Sequence, residues 1–173
     1  MTLLPTGPIR SSTSAARKGV NYSAVLIAAA LIATPMVTRW EGEKLVPYKD
    51  RLARNILTWC SGETRGIPKT SYTRTECAAM TSNAVANDFG PAVLKCVPGL
   101  ADRPKVLAAS IVLTYNIGIA AFCKSTVAKR FRMLNWVGGC NAFTLYRMAG
   151  GKVIQGLINR RADERALCLA GAA

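Results

Sequence analysis

The chain has no histidine among its 173 residues. This absence excludes a Ser-His-Asp triad and a Cys-His protease site, and it disfavours most catalytic zinc sites, whose ligands usually include histidine. Acid–base chemistry at neutral pH must then rest on carboxyl groups, tyrosine, lysine or cysteine. We expect a protein that uses neither a metal ion nor a cofactor.

Acidic residues are also scarce, with 9 Asp and Glu against 23 Lys and Arg and a formal net charge of +14. Such a balance indicates an anionic partner, which is nucleic acid, an acidic membrane surface or a cell-wall polymer. The basic residues are spread along the whole chain, without a run of five, a glycine-rich phosphate loop or a repeat of basic and aromatic residues that could stack on bases. These absences argue against a nucleic-acid-binding protein.

The six cysteines include no Cys-x-x-Cys pair, which disfavours a zinc ribbon or a thioredoxin-like redox site. Their even number and wide spread predict three disulfides in an oxidising compartment, and the alternative is six reduced, buried thiols in a cytosolic protein. We expect Cys96 to pair with Cys123, because both lie at predicted helix ends that flank a central helix. The pairing of the other four stays open: Cys60, Cys77, Cys140 and Cys168.

The first 38 residues divide into two parts. Residues 1–18 are basic and contain no acid, which is typical of a leader on the cytoplasmic side of a membrane. Residues 19–38 carry no charge, and as a helix they would span about 30 Å, enough to cross the hydrocarbon core. The segment is rich in alanine and contains Pro35, so its hydrophobicity is marginal. On the residues alone it is a cleaved signal peptide, a permanent anchor or a buried helix of a soluble domain.

Residues 39–173 are predicted to form one domain of α+β class. A short helix is expected over 40–44, followed by a small lobe rich in β-hairpin over 48–64. The last helix is expected over 154–169. A small β-containing lobe followed by a larger helical lobe predicts a cleft where the two lobes meet.

Two local signals place the helices between these ends. Thr73 and Glu76 form a capping box, which predicts a helix over 74–88 that ends at Gly90-Pro91. Asp102 is a good N-cap for a mostly apolar helix, which we expect to be central and buried.

Four of the nine acidic residues fall in one stretch near the start of this domain: Glu41, Glu43, Asp50 and Glu63. Hydrolysis of a glycosidic bond needs two carboxyl groups, one on either side of the bond, to donate a proton and to assist water or attack the sugar. In a chain so poor in acids, this cluster is a candidate active site.

The same stretch resembles the beginning of the bacteriophage-type lysozymes, glycoside hydrolase family 24. It has a Glu-Gly pair, then Tyr-x-Asp, then Thr before Gly-x-Thr. The resemblance covers the chain from Trp40 to the C-terminus and continues through three further motifs: Tyr115-Asn116-Ile117-Gly118, Ser125-Thr126, and Gly150-Gly151-Lys152 followed by Gly156-Leu157-Ile158-Asn159-Arg160-Arg161. It implies a lysozyme-like fold and a phage endolysin that hydrolyses the β-1,4 bond between N-acetylmuramic acid and N-acetylglucosamine.

The resemblance also implies a role for each site residue. Glu41 matches the general acid, which burial can keep protonated near neutral pH. Asp50 matches the second carboxylate, Thr58 the hydroxyl that helps to hold the water, and Arg160 a residue that binds substrate or tunes the acid. The sequence departs from the family by a two-residue insertion within 51–55, so Thr64 is the alternative hydroxyl if the hairpin does not absorb it.

Two further acids receive other interpretations. Glu43 lies two residues from Glu41 and is read as solvated, because on a helix it would point elsewhere. Glu63 stands where the family often has histidine, and we expect at most a structural ion pair with an arginine. Arg160 and Arg161 have a competing interpretation, in which they pair with acids on the surface of their own helix.

Some members of this family carry a signal-anchor-release segment, which is exported without cleavage and later leaves the bilayer. The weak, alanine-rich segment 19–38 resembles it. The resemblance then implies a monomer tethered to the inner membrane of a Gram-negative host and released into the periplasm, with peptidoglycan strands rather than nucleic acid as its partner. The alternatives are a lytic transglycosylase with the same site, and a basic membrane-tethered binding module without catalysis.

Overall fold

The computed structural model describes residues 22–50 and 55–173 of the chain. A small β-hairpin lobe precedes a larger helical lobe, so the predicted α+β class is confirmed. The predicted leader 1–18 lies outside the described residues. The elements in chain order are α1 (Tyr22–Glu41), β1 (Lys44–Asp50), β2 (Ile56–Cys60), α2 (Arg74–Ala84), α3 (Gly90–Cys96), α4 (Pro104–Ile117), α5 (Ile119–Lys124), α6 (Thr126–Arg132), α7 (Trp136–Asn141), β3 (Met148–Ala149), β4 (Lys152–Val153) and α8 (Gln155–Leu169).

Helix α4 is the centre of the hydrophobic core. Every residue from 106 to 114 is buried, as expected for a helix that is apolar on nearly all its faces. Helices α1, α3 and α8 pack around it. The expected cap is wrong: Arg103 is the N-cap, without a side-chain hydrogen bond, and Asp102 is exposed one residue earlier. The helix begins at Pro104. Proline lacks a backbone N–H, but at the first position of a helix this N–H would have no partner within the helix.

Helix α1 contains most of the uncharged N-terminal segment, and it packs against α4 as part of the core. Its buried face is a stripe of small residues, with Ala29, Ala33 and Val37 all fully buried at a spacing of four. Ile27 and Leu31 lie on the opposite face and are 61% and 75% exposed. By length and composition the helix could also cross a membrane. Two large apolar side chains are thus on the outer face of the helix, while small residues, together with the partly buried Leu26, Ile32 and Met36, hold it to the core.

The expected separate helix over 40–44 is wrong. Helix α1 continues without a break to Glu41, and Gly42 ends it with a φ of +72°, in the left-handed region that favours glycine. Lys44 already begins strand β1. Residues 22–38 of the uncharged segment and the first acid of the predicted site therefore belong to one helix.

Strands β1 and β2 form the expected antiparallel hairpin, with Tyr48 opposite Thr58 and Asp50 opposite Ile56. Most of the inserted stretch, residues 51–54, lies outside the described residues. Its last residue, Asn55, has a φ of +61° and donates its N–H to the carbonyl of Asp50 at 2.7 Å. The two strands are therefore still paired in register immediately beside the insertion.

The capping box of α2 is confirmed, because Thr73 and Glu76 exchange the two expected hydrogen bonds. The predicted end at Gly90-Pro91 is wrong: the chain stays helical through a π turn, Val85–Phe89, and continues into α3. In this turn the N–H of Gly90 donates to the carbonyl of Val85. Pro91 lies in the first turn of α3, where proline is tolerated although it has no backbone N–H to donate. A Cβ on Gly90 would lie 2.6 Å from Leu26 of α1, so glycine allows α1 to approach closely.

Three disulfides are present, and the predicted pair of Cys96 with Cys123 is among them. It joins α3 to α5, the two helices that flank α4 in sequence. The others connect β2 to α2 and α7 to α8: Cys60–Cys77 and Cys140–Cys168. Since no cysteine lies in α1, only packing and polar contacts hold that helix to the rest of the domain.

The packing of α1 generates a stability prediction. Ala33→Leu should lower the free energy of unfolding by about 1–3 kcal/mol, because the added atoms have no room beneath a fully buried alanine. Ala24→Leu is the matched control, since it makes the same change on the exposed side of the same helix, and it should alter stability by less than about 0.5 kcal/mol. Urea unfolding with the disulfides intact measures both values, and equal stability of the two variants would contradict the packing.

Candidate active site

The structure brings Glu41, Asp50 and Thr58 to one cleft. They come from three different elements: Glu41 is the last residue of α1, Asp50 the last of β1, and Thr58 lies in β2. The cleft has a volume of about 250 Å³, and its other lining residues are Lys44, Tyr48, Cys60, Ser61, Gly62 and Thr64.

The hairpin register explains why the two β residues share this cleft. Tyr48 and Asp50 are two residues apart in β1, and side chains at that spacing point to the same face of a strand. Thr58 is opposite Tyr48, so it lies on that face as well. The insertion between Asp50 and Thr58 does not remove Thr58 from the cleft. The alternative hydroxyl, Thr64, also lines it.

Glu41 is held by Arg160 of α8. The Nη1 atom of Arg160 donates to Oε1 of Glu41 at 2.7 Å, and the Glu41 side chain is 26% exposed. The residues are 119 positions apart in sequence, so this contact joins the N-terminal helix to the C-terminal helix. The resemblance implies that Arg160 binds substrate or tunes the acid, and this contact places it directly beside Glu41.

Arg160 itself is fixed by three partners. Its Nε donates to Oε1 of Glu164 at 3.0 Å, and its Nη2 donates to the carbonyl of Val112 in α4 at 3.1 Å. Together with the bond to Glu41, every nitrogen of the guanidinium group has a partner. Because the side chain is only 4% exposed, these bonds are shielded from water and fix the orientation of the group.

Glu164 is a residue whose burial the sequence did not reveal. It is fully buried and contacts both neighbouring arginines, since Oε1 also accepts from Nη2 of Arg161 at 3.0 Å and Oε2 lies 2.9 Å from Nε of Arg161. Arg161 donates in addition to Asn116, at 3.1 Å. The competing interpretation was correct that Glu164 pairs with both arginines and wrong that it does so at the surface. Spacings of three and four residues on a helix were the available signal.

Burial governs the charges of this group. It raises the pKa of Glu164 to about 7, although the two guanidinium groups oppose the rise. Burial also lowers the pKa of Arg161 to about 10, against the attraction of Glu164. Asp163, the other acid of this helix, points outward and pairs with Arg39 of α1 at 3.3 Å.

The expectation that Glu43 is solvated is wrong. Its side chain is only 17% exposed and lies 4.0 Å from Arg74, because the chain has left the helix before this residue.

The expected ion pair of Glu63 is confirmed, since both of its oxygens accept from Arg65, and these bonds lower its pKa. Arg65 also donates to Asp88 at 2.7 Å and thereby links the hairpin lobe to the π turn.

A second cavity of about 380 Å³ adjoins the cleft, and Gly62 and Thr64 line both. Tyr115 stands in its wall and donates its hydroxyl to the carbonyl of Ser61 at 2.8 Å. Burial raises the pKa of Tyr115 to about 12, which keeps the hydroxyl protonated and able to donate. The two cavities together form a groove that continues between the lobes.

Within residues 22–50 and 55–173, no group of three or more His, Cys, Asp or Glu side chains could hold a metal ion. Among the groups that line the cleft are the carboxyls of Glu41 and Asp50 and the hydroxyl of Thr58, and the buried guanidinium group of Arg160 lies beside Glu41. Such a set can donate a proton, bind a water molecule and stabilise positive charge on a sugar ring, which are the functions that glycoside hydrolysis requires.

Comparison with known proteins agrees with this chemistry. The phage lysozyme family model matches residues 38–164. The SAR-endolysin of Bacteriophage PS34 is 32% identical over 170 residues, which cover 94% of this chain and 95% of the relative. The SAR-endolysin of Enterobacteria phage P21 is 32% identical over 171 residues, covering 94% and 96%.

Solved structures show the same fold. A P22 lysozyme mutant has a TM-score of 0.61 at 28% identity, covering 79% of this chain and 94% of that one. The active form of the P1 phage endolysin Lyz has a TM-score of 0.68 at 21% identity, covering 87% and 95%. With a lysozyme-like fold, carboxyl groups placed in its cleft and endolysin relatives along almost its whole length, the chain belongs to the phage lysozyme family and is a glycoside hydrolase of the phage endolysin type.

Proposed function

We propose that this endolysin is an N-acetylmuramidase, which hydrolyses the β-1,4 bond between N-acetylmuramic acid and N-acetylglucosamine in peptidoglycan and so lyses the host cell. The observation that supports this most is that Glu41, Asp50 and Thr58 line one cleft although they come from three elements. Carboxyl groups that face one groove are the arrangement that glycosidic hydrolysis needs.

Glu41 is the proposed general acid. Oε1 accepts from Arg160, so we assign delivery of the proton to Oε2. In the reaction the bond from the sugar C1 to the bridging oxygen breaks, and that oxygen takes the proton from Glu41 as it leaves. Arg160 acts on the acid rather than on the sugar, because its guanidinium group is buried and all its nitrogens are occupied.

Asp50 and Thr58 are proposed to manage the water that attacks C1. The hydroxyl of Thr58 donates to the carbonyl of Ile56 at 3.1 Å, so its oxygen is left to accept a hydrogen bond from water. Asp50 then either accepts the one proton that the water loses or stabilises the positive charge that develops on the ring. After the bond to the new hydroxyl forms at C1, one proton has been given by Glu41 and one released by the water.

The position of Glu41 at the end of α1 supports a proposal of export followed by release from the membrane. If α1 spans the inner membrane, Glu41 is held at the lipid surface and cannot reach Arg160, which lies in the C-terminal helix. The tethered protein is then inactive. When α1 leaves the bilayer, its stripe of small residues packs on α4 and brings Glu41 to Arg160. The named SAR-endolysin relatives and the apolar length of α1 support this proposal.

The assignment of the acid predicts the effect of Glu41→Gln. Purified protein with this change should lose at least about 100-fold in lysis of permeabilised Gram-negative cells, because general acid catalysis contributes on that order. Glu43→Gln is the control, since it removes the neighbouring carboxylate and should keep activity within about threefold, as Glu43 does not line the cleft.

Turbidity assays and circular dichroism measure activity and folding of both variants. A folded Glu41→Gln protein with wild-type activity would refute the assignment. Mass spectrometry of the wild-type products tests the reaction itself: a hydrolase releases reducing ends, whereas anhydro ends would show a lytic transglycosylase.

The buried network predicts that Glu164 positions Arg160. Glu164→Gln should lower stability by roughly 3 kcal/mol, because two buried guanidinium groups lose their shared charge partner. It should also lower kcat at least about tenfold with little change in KM, since Glu164 reaches the cleft only through Arg160 and Glu41.

Asp163→Asn is the matched control, because it removes the adjacent carboxylate from a surface ion pair. Its stability should change by less than about 1 kcal/mol and its kcat should not change. Kinetics with soluble peptidoglycan fragments, at a temperature where both variants are fully folded, separate kcat from KM. An unchanged kcat in Glu164→Gln would mean that the network serves stability alone.

The release proposal predicts a different effect for leucines on the exposed face of α1. Ser23→Leu with Ala24→Leu should keep the protein in the membrane fraction longer and delay lysis, since each leucine adds about 2 kcal/mol to the cost of leaving lipid. Both positions are exposed in the packed state, so the purified double variant should have wild-type activity. Release on the wild-type schedule, or N-terminal sequencing that finds the segment cleaved, would contradict the proposal.

A further inference from the structure

A separate cavity of about 160 Å³ lies beside α8, and none of its lining residues belongs to the cleft of Glu41. Four of the lining residues lie on α8 at the spacing of one helix face, and two precede strand β3. They are Thr144, Arg147, Ile158, Arg161, Ala162 and Arg165. Three arginines therefore line one small cavity.

No carboxylate balances this cluster within the cavity. All nine acidic residues of the chain lie among the described residues, and none of them lines it. Glu164 pairs with Arg161 but shares its charge with Arg160, which is already bonded to Glu41. Arg147 and Arg165 form no ion pair within residues 22–50 and 55–173, so the cavity carries an excess of positive charge.

Arg161 is the buried member of this cluster of positive charges. Its side chain is 1% exposed, and its Nη1 atom is buried without a hydrogen-bond partner among the described residues. Burial also lowers its pKa, as expected for a cation with incomplete compensation. Buried guanidinium nitrogens without partners are uncommon in folded proteins and call for an explanation such as a missing anion.

Arg165 is held in place by Asn141. Its Nε donates to the side-chain oxygen of Asn141 at 2.8 Å, which fixes the plane of the guanidinium group and leaves both terminal nitrogens available. Arg147 is exposed at the mouth of the cavity. A fixed arginine, a buried one and an exposed one therefore surround the same space.

We propose that this cavity binds a phosphate group. Guanidinium groups bind phosphate through paired N–H donors, and a phosphate offers enough oxygens for several arginines, whereas a carboxylate offers only two. The volume corresponds to about five water molecules, which is sufficient for one phosphate group. The phosphate comes either from the headgroup of an anionic phospholipid or from a free phosphate in the periplasm.

Titration with inorganic phosphate tests the site. Isothermal titration calorimetry of the full folded chain, at an ionic strength held constant with chloride, should show saturable binding to one site. Arg147→Gln with Arg165→Gln should weaken this binding at least tenfold. Lys124→Gln with Lys129→Gln is the matched control, because it removes the same charge from exposed positions away from the cavity and should change the affinity by less than twofold.

Absence of saturable binding to the wild-type chain would overturn the proposal, and so would equal weakening by the two double variants. Sedimentation with phosphatidylglycerol vesicles identifies the source of the phosphate, with phosphatidylcholine vesicles as the reference. If the arginine variant loses vesicle binding more than the lysine variant, and inorganic phosphate competes, the ligand is a lipid headgroup. If both variants lose vesicle binding equally while the calorimetric difference persists, the ligand is a free phosphate.

Discussion

The contact between Arg160 and Glu41 is the interaction on which the rest of the site depends. It joins the first described helix to the last one, at a distance of 2.7 Å across 119 residues of sequence. A guanidinium group can hold a carboxyl in a fixed place only if its own position is fixed, and here Glu164 and the carbonyl of Val112 fix it. Removing any of these partners would leave a buried charge or donor without compensation, which is among the costlier defects in a folded protein.

Helix α1 links this site to the proposed attachment to the membrane. The same element is apolar enough to cross a bilayer, contributes small residues to the core, and ends at Glu41. Small inward residues let α1 approach α4 closely, while Ile27 and Leu31 remain on the outer face. No disulfide ties α1 to the domain, so its docking depends on packing and a few polar contacts. A helix held in this way can associate and dissociate without covalent change, which is the property that the proposed release requires.

The sequence predicted those features that depend on local pattern or on motif order. The capping box at Thr73 and Glu76, the buried helix α4 and the hairpin all follow from signals within one turn or one strand pair. The family motifs indicated Glu41, Asp50, Thr58 and Arg160, and the structure places the first three in one cleft with Arg160 bonded to Glu41. The Cys96–Cys123 pair was predictable because sequence placed both at the ends of helices around α4.

Only the tertiary structure decided the remainder, because each of those features depends on what a residue meets from a distant part of the chain. The helix through Gly90 persists because a π turn satisfies the backbone and because glycine fits against Leu26 of α1. From the sequence Glu164 looks like a surface acid, and the packing of α8 against its neighbouring helices, α4 among them, buries it. Whether Thr58 lies in the cleft depended on the register of the hairpin beside the insertion. Composition excluded histidine from the chemistry and left only nine acidic residues, whereas burial and long-range contacts determined which of the nine are exposed, paired or placed in the cleft.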